Sequence, residues 1–340
     1  MIKVAVVILN WNGKKFLEQF LPVVCRHSSE NNTEVIVADN GSTDDSVSFL
    51  KDQFPEVRII EFQQNYGFAL GYHKALELID AEYYMLLNSD VEVTPDWLAP
   101  LAAVMDNDPS IGACMPKIRS YYNRDHFEYA GACGGFIDRF GYPFCRGRIL
   151  SVIEKDEGQY DSQRSVFWAT GACMLVRAET YKKAGGFDGE FFAHMEEIDL
   201  CWRIRRLGYN IVVVPSSTVY HIGGGTLPNN NPRKLYLNYR NSLFLLFKNL
   251  PLYQLVPVML TRMILDGASA LSYLLSGSGK FCFAVFRAHM AFYRRIPLLI
   301  SKRRNIRHII HRGKIKEIYP GSIIFDFFVK RKRYFSEIDW

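Results

Sequence analysis

Glu34-Val-Ile-Val-Ala-Asp-Asn-Gly-Ser-Thr-Asp-Asp45 is the stretch from which the fold can be read. Its run Glu34–Ala38 shows no polar alternation, the mark of a strand buried on both faces, and it stops at Asp39. Ser42-Thr-Asp-Asp45 then supplies capping residues for a helix reaching about Phe54. The same unit recurs on either side. Val4–Leu9 precedes a helix over Lys14–Cys25, and Val57–Phe62 precedes a helix over Gly67–Ile79. Tyr83–Leu87 closes the series at Asn88-Ser-Asp90. Strict alternation of strand and helix predicts an α/β fold, a parallel sheet with helices on both faces. Ligands bind such sheets beyond the carboxyl ends of the strands. Here those ends are Asn10-Trp-Asn12, Asp39-Asn-Gly41, Asn65-Tyr-Gly67 and Asn88-Ser-Asp90, all of them polar.

From Ile111 to Asp161 the pattern loosens into short Gly- and Tyr-rich pieces, read as loops and antiparallel strands. Thr170–Val176 is a further apolar strand. A helix follows from about Glu196 to Leu207, capped by Gly208, then a strand over Ile211–Val214 with His221 just beyond it.

Of 340 residues, 49% are hydrophobic, enough for a packed core and too many for a disordered chain. The net charge of +6 is unevenly spread: residues 280–340 hold 15 Lys and Arg against 4 Asp and Glu. The body is therefore mildly acidic, which argues against a nucleic-acid binder. After Asn229 the composition changes, placing a boundary between residues 1–228 and a basic, apolar, mostly helical region at 229–340. Residues 251–277 reach spanning length, but Arg262 and Asp266 lie mid-segment, spaced to pair on one helical face. Residues 281–300 interleave aromatics with Lys280, Arg287 and Arg294 at seven-residue spacing, as in a basic helix lying on an anionic bilayer. Lys302-Arg-Arg304 and Lys330–Arg333 add positive charge. The N-terminal apolar run is too short for a signal peptide, and seven scattered cysteines fit a reducing compartment. Together these features predict a peripheral or shallowly inserted protein at the cytoplasmic face of a membrane.

Familiar motifs are missing. There is no Walker lysine and no His-Glu-x-x-His, and Gly131–Phe136 lacks dinucleotide spacing. His194-Met-Glu196 is not followed by the Pro-Cys-x-x-Cys of a zinc deaminase. The strand-end groups are more coherent. Asp39 could accept from a base N–H or a ribose hydroxyl, or serve simply as a turn residue. Asp90 beside Asn88 suits a hard divalent cation that also binds diphosphate oxygens. Glu196, Glu197 and Asp199 crowd a helix start, where they complement the dipole or supply a general base. His221 is a metal ligand, a phosphate contact or a structural histidine.

Five ordered blocks carry a resemblance: Val6–Gly13, Val35–Ser46, Asn65–Gly71, Tyr84–Asp90 and Gly185–Arg203. They resemble glycosyltransferase family 2, nearest its rhamnosyltransferase-like branch of bacterial surface polysaccharide synthesis. The resemblance implies a GT-A fold and inverting transfer from a nucleotide-diphosphate sugar to a glycan or lipid-linked acceptor. It places Asn10, Trp11, Asp39 and Asp44 at the nucleoside. Asn65, Gly67, Asn88 and Gly171 also fall at the donor. Asp90 and His221 fall on the site for Mg²⁺ or Mn²⁺. Glu197 falls on the catalytic base, with Glu196 as its alternative. The first acid of the family's Asp-x-Asp is here the amide Asn88, and its Glu-Asp pair is Glu196-Glu197. A nucleotidyltransferase and a non-catalytic nucleotide-sugar scaffold are the competing readings. The absence of a basic glycine loop for a triphosphate weighs against the first.

Overall fold

The computed structural model describes residues 2–29, 32–223, 231–306 and 314–340. The alternation expected over the first ninety residues is present: β1 (Ile2–Asn10), α1 (Lys14–His27), β2 (Thr33–Asp39), α2 (Ser46–Gln53), β3 (Arg58–Glu61), α3 (Gly67–Glu77) and β4 (Ala81–Asn88). β3, β2, β1 and β4 lie side by side and parallel. Their register matters: Asn10 pairs with Asp39, and Leu9 with Asn88, so the carboxyl ends of three strands line up. Val4–Val7 and Tyr84–Leu87 are fully buried, as strands covered on both faces must be. The expected capping of α2 differs: Asp45 occupies the cap position without a side-chain bond, while Asp44 accepts from Ser46.

Beyond Asp90 the sheet turns mixed. β5 (Val91–Val93), α4 (Ala99–Asn107) and β6 (Ile111–Ser120) are followed by β7 (Gly135–Asp138), β8 (Pro143–Cys145), β9 (Arg148–Ile149), β10 (Val152–Ile153) and β11 (Arg164–Ser165). Then come β12 (Cys173–Arg177), α5 (Ala178–Lys183), α6 (Glu196–Arg206) and β13 (Asn210–His221). β12 inserts antiparallel between β4 and β6, and β13 runs parallel to β6. β13 is longer than the apolar run Ile211–Val214 implied. It continues through a register shift between Val214 and Thr218 and ends on His221, which is a strand residue rather than one beyond the strand.

The expected boundary at 228/229 lies outside the described residues. On its far side, α7 (Pro232–Asn249) packs into the body: Asp199 of α6 meets Arg203, Lys248 and Asn249 at 2.8–3.0 Å, all buried. α8 (Leu252–Leu275) and α9 (Gly279–Asn305) lie outside α7. The chain then returns: β14 (Ile318–Tyr319) pairs with β7 in a second, five-stranded sheet, followed by α10 (Ile323–Phe328). Trp340 packs edge-on against Phe136 and Phe144. Lys302 and Arg303, expected to face a membrane, turn inward to Asp188 and to the carbonyls of Phe247 and Leu250.

Arg262 and Asp266 do pair across one turn of α8, at 2.8 Å and almost wholly buried. His289 of α9 adds a 3.2 Å contact to Asp266, and Arg262 stacks on Tyr142 and donates to the Phe140 carbonyl. Removing one member of a buried ion pair strands the other charge, typically at a cost of ~3–5 kcal/mol. Asp266→Ala is therefore expected to destabilise the protein by about that amount in denaturant titration. A loss within ~0.5 kcal/mol, the usual range for a surface change, would show that the pair does not anchor α8.

Candidate active site

The aligned strand ends build the first wall. Both Asp39 oxygens are engaged: Oδ1 accepts from Asn10 Nδ2 at 3.0 Å, and Oδ2 from the Ser42 amide at 2.9 Å. Asp39 and Asn10 are buried, while Trp11 stands at the rim, 45% exposed. Asn12 zips the two turns together, its Oδ1 accepting from the amides of Thr43 and Asp44. Asp44 is exposed and engaged by Ser46 of its own loop and by the Lys14 amide at the start of α1. Burial pushes its carboxyl up, but the hydrogen bonds from Ser46 and the Lys14 amide together outweigh this and hold it below the usual carboxylate range.

Asn40, which sequence reasoning left out, joins this wall to the next. Its side chain donates to Asn65 Oδ1 and the Gly67 carbonyl, and accepts from the Tyr66 amide. Gly67 has φ +77°, and a Cβ there would stand 2.5 Å from the Phe192 ring. Only glycine fits that conformation and that approach.

The sheet also explains the second group. β5 pairs with the end of β13, Val91 opposite His221, so Asp90 is carried to the imidazole. Asp90 Oδ1 lies 3.1 Å from His221 Nε2, and Glu128 Oε1 lies 3.5 Å from Nδ1. Burial opposes the charge on His221, but the two carboxylates dominate and push it up to about 10. Burial likewise opposes ionisation of Asp90, and His221 overrides it, holding the carboxyl low. Glu128 was not singled out from sequence, because it sits in the aperiodic Gly/Tyr-rich stretch. Among the described residues, no three His, Cys, Asp or Glu side chains converge as a ready metal cage. Asp90 and His221 are the candidate donors: His221 would offer Nε2 to a metal only on giving up the proton it directs at Asp90, while Nδ1 keeps its carboxylate neighbour Glu128, a common second-sphere arrangement of metal-bound histidine. That set suits Mg²⁺ or Mn²⁺ with water and diphosphate oxygens completing the sphere. Asn88 is partly exposed at the end of β4, its backbone N–H donating to the Ala172 carbonyl.

The third group is the acids of α6, and the structure divides them. Asp199 faces inward. Burial opposes its charge, but Lys248 and Arg203 outweigh that and hold its carboxyl low. Glu196 and Glu197 lack such partners, and each leaves Oε2 buried with no hydrogen bond among the described residues. Burial pushes Glu196 well up, its neighbour Glu197 adding to the effect. Burial also pushes Glu197 up to about 7, against the pull of backbone amides at the helix start. Glu196 is buried, whereas Glu197 is partly open. A Cβ placed on Gly171 would lie 3.9 Å from that of Glu197 and 3.0 Å from the Phe68 ring, so this segment and the acid face each other closely.

Comparisons with known proteins identify the family and the fold. A family model, Glycosyl transferase family 2, matches residues 5–185, ending before α6. The N-acetylglucosaminyl-diphospho-decaprenol L-rhamnosyltransferase of Mycobacterium tuberculosis (strain ATCC 25618 / H37Rv) is 29% identical over 231 residues, 64% of this chain and 75% of that protein. Rhamnosyltransferase WbbL of Escherichia coli (strain K12) is 26% identical over 161 residues, 47% of this chain and 60% of its own. Among solved structures, mannosyltransferase PcManGT from Pyrobaculum calidifontis, in complex with GDP-Man and Mn²⁺, matches with TM-score 0.53 at 15% identity, over 90% of this chain and 85% of that one. GalNAc-T7 with UDP, GalNAc and Mn²⁺ gives TM-score 0.58 at 16% identity, over 73% of this chain and 48% of its own. At these identities the structural likeness is one of fold, and that fold is GT-A. With polar strand ends aligned on such a sheet and a family model matched over more than half its length, the chain belongs to glycosyl transferase family 2.

Proposed function

We propose that the protein is an inverting transferase that moves a hexosyl or deoxyhexosyl group from a nucleotide-diphosphate sugar to a hydroxyl of a lipid-linked glycan acceptor, in cell-surface polysaccharide synthesis. The observation that carries this reading is that three groups stand at the same end of the sheet, beyond the carboxyl ends of β1, β2, β4 and β13. These are the Asn10–Asp39 cradle, the Asp90–His221 pair, and Glu197 against Gly171. The relative whose substrate name includes a diphospho-decaprenol supports the choice of acceptor.

In this reading Asn10, Asp39 and the turns they brace receive the nucleoside, with Trp11 at the rim. Asp90 and His221 would hold the divalent ion, which neutralises the leaving diphosphate when bound. Glu197 takes the proton of the acceptor hydroxyl as that oxygen attacks the anomeric carbon from the face opposite the diphosphate. The centre inverts, and the nucleoside diphosphate leaves with the bonding electrons. The partly open setting of Glu197 favours it over Glu196 for this contact.

Thermal stability tests the donor class. Ligands that bind the fold stabilise it by about 2.7 kcal/mol at a hundredfold excess over Kd. One of the UDP, dTDP and GDP sugar series is expected to raise Tm with Mg²⁺ or Mn²⁺ and not with chelator. No shift in any combination would contradict donor binding.

The outer helices support a site at the membrane surface. α8 is long and apolar enough to cross a bilayer, yet its Arg262–Asp266 face is packed on the body. Its outer face exposes Val256, Leu260, Ile264 and Leu271. Neighbouring α9 exposes Phe283 and Phe286 with Lys280, Arg287 and Arg294. A helix with one face held by protein and the other apolar fits shallow insertion, and exposed cations fit anionic headgroups. Seven free cysteines fit a reducing compartment and so the cytoplasmic side, which for the bacterial polysaccharide synthesis proposed here is the cytoplasmic face of the inner membrane. A fully buried Leu or Ile contributes about 1.5–3 kcal/mol. The triple variant Leu260→Asp, Ile264→Asp, Leu271→Asp is expected to weaken binding to anionic vesicles at least ~100-fold while sparing donor-induced stabilisation. Unchanged vesicle sedimentation would remove the membrane from the proposal.

A further inference from the structure

The turn that leads into Glu196 and Glu197 is unusual in its backbone. Phe192, His194 and Met195 have φ of +64°, +70° and +71°, a left-handed region that side-chain-bearing residues avoid. Three such residues within four positions need outside support, and the support is specific. The Glu190 carbonyl accepts from Arg240 at 3.0 Å, and the Phe191 carbonyl from Arg240 and Asn241, each at 2.9 Å. The Phe192 carbonyl accepts from the amides of Phe68 and Ala69 at the start of α3. The carbonyls of Ala193 and His194 accept from Asn241 Nδ2 at 2.8 and 2.7 Å. Each carbonyl from 190 to 194 is thus held.

Asn241 is fully buried, and its own Oδ1 accepts from Arg240 Nε at 2.9 Å. That bond fixes the amide orientation, so Nδ2 faces the turn. Two N–H groups serve three carbonyls, which requires at least one to be shared. From its other side the turn touches the donor wall, because the Phe192 ring closes over Gly67. The loop therefore links α7, the Asn65–Gly67 turn and the acids of α6.

We infer that Arg240 and Asn241 are positioning residues: they hold the 190–194 turn in its left-handed shape and thereby set where the Glu197 carboxyl stands relative to Gly171 and the donor. This rests on the reading of Glu197 as the base.

The test compares full-length wild type with Asn241→Ala and Arg240→Lys. It uses the donor series identified by thermal stability and measures kcat, donor KM, Tm and the pH dependence of kcat. Asn241→Ala is expected to lower kcat at least tenfold, to change donor KM less than threefold, and to displace the acid limb of the pH profile. Arg240→Lys keeps Asn241 and one cationic donor, so a smaller fall in kcat in the same direction is expected. A purely structural role would lower Tm and leave both kcat per folded molecule and the acid limb at wild-type values; that outcome overturns the inference. Should Asn241→Ala fail to fold, Arg240→Lys decides by the same criteria. A wild type that transfers no sugar overturns the base reading itself. An active wild type with unaffected variants overturns only the role of Arg240 and Asn241.

Discussion

Glu197→Gln is expected to lower turnover at least about a hundredfold while leaving donor binding intact. A positioned general base is typically worth ~10²–10⁴-fold, and the amide keeps the side chain's size without its basicity. The check is initial-rate release of nucleoside diphosphate at saturating donor, beside donor-induced thermal stabilisation of the same variant. Near-normal turnover would move the role to Glu196 or away from the pair.

The pH dependence follows in sign. Glu197 is pushed up to about 7 by burial, and it acts as a base only when ionised. Turnover should therefore rise roughly tenfold per pH unit below about 7 and level off above it. The stability sign is opposite. The folded protein holds protons on Glu196 and Glu197 where the unfolded chain, titrating at the ordinary 4.5, has lost them. Their contribution to stability consequently falls as pH rises from about 4.5 through 7. A protein most active where these two groups destabilise it most is what a buried base requires.

Asp90→Ala is the second large effect. The carboxylate is the only acid of the strand-four motif, since Asn88 takes the other place. Loss of metal-borne charge stabilisation amounts to several kcal/mol, so turnover should fall at least ~100-fold and cease to respond to added Mn²⁺. Metal-titrated rates on both proteins, with Tm as a folding control, provide the check. Wild-type activity that persists unchanged in chelator would refute a metal at Asp90 and His221.

Much of the fold was legible because its signals are local. The runs Val4–Leu9 and Tyr83–Leu87 are continuous and apolar, and each ends on polar residues that register then aligns. What stayed hidden depends on distant partners. The apolar run Ile211–Val214 predicts a strand that stops there, whereas β13 passes a register shift beyond Val214 and resumes at Thr218. Glu128 has no periodic context, and only the meeting of β5 and β13 brings Asp90 and His221 to its side. Arg240 and Asn241 are ordinary polar residues on a helix until α7 meets the strained turn. The charge and apolar content of residues 229–340 predict a helical, membrane-associated region, yet β14 and Trp340 return its end to the second sheet. Asp44 reads like a ligand-facing acid, and Ser46 and Lys14 occupy it.

The most direct measurement is the anomeric configuration of the product. With the donor series that stabilises the fold, Mn²⁺ and a lipid-linked glycan acceptor, NMR should show a new glycosidic bond inverted relative to the donor. Nucleoside diphosphate should be released in equal amount, and both should vanish in Glu197→Gln. Retained configuration would contradict single displacement with Glu197 as base. Formation of a nucleotide sugar from sugar phosphate and nucleoside triphosphate, with pyrophosphate released, would contradict the transferase reading altogether.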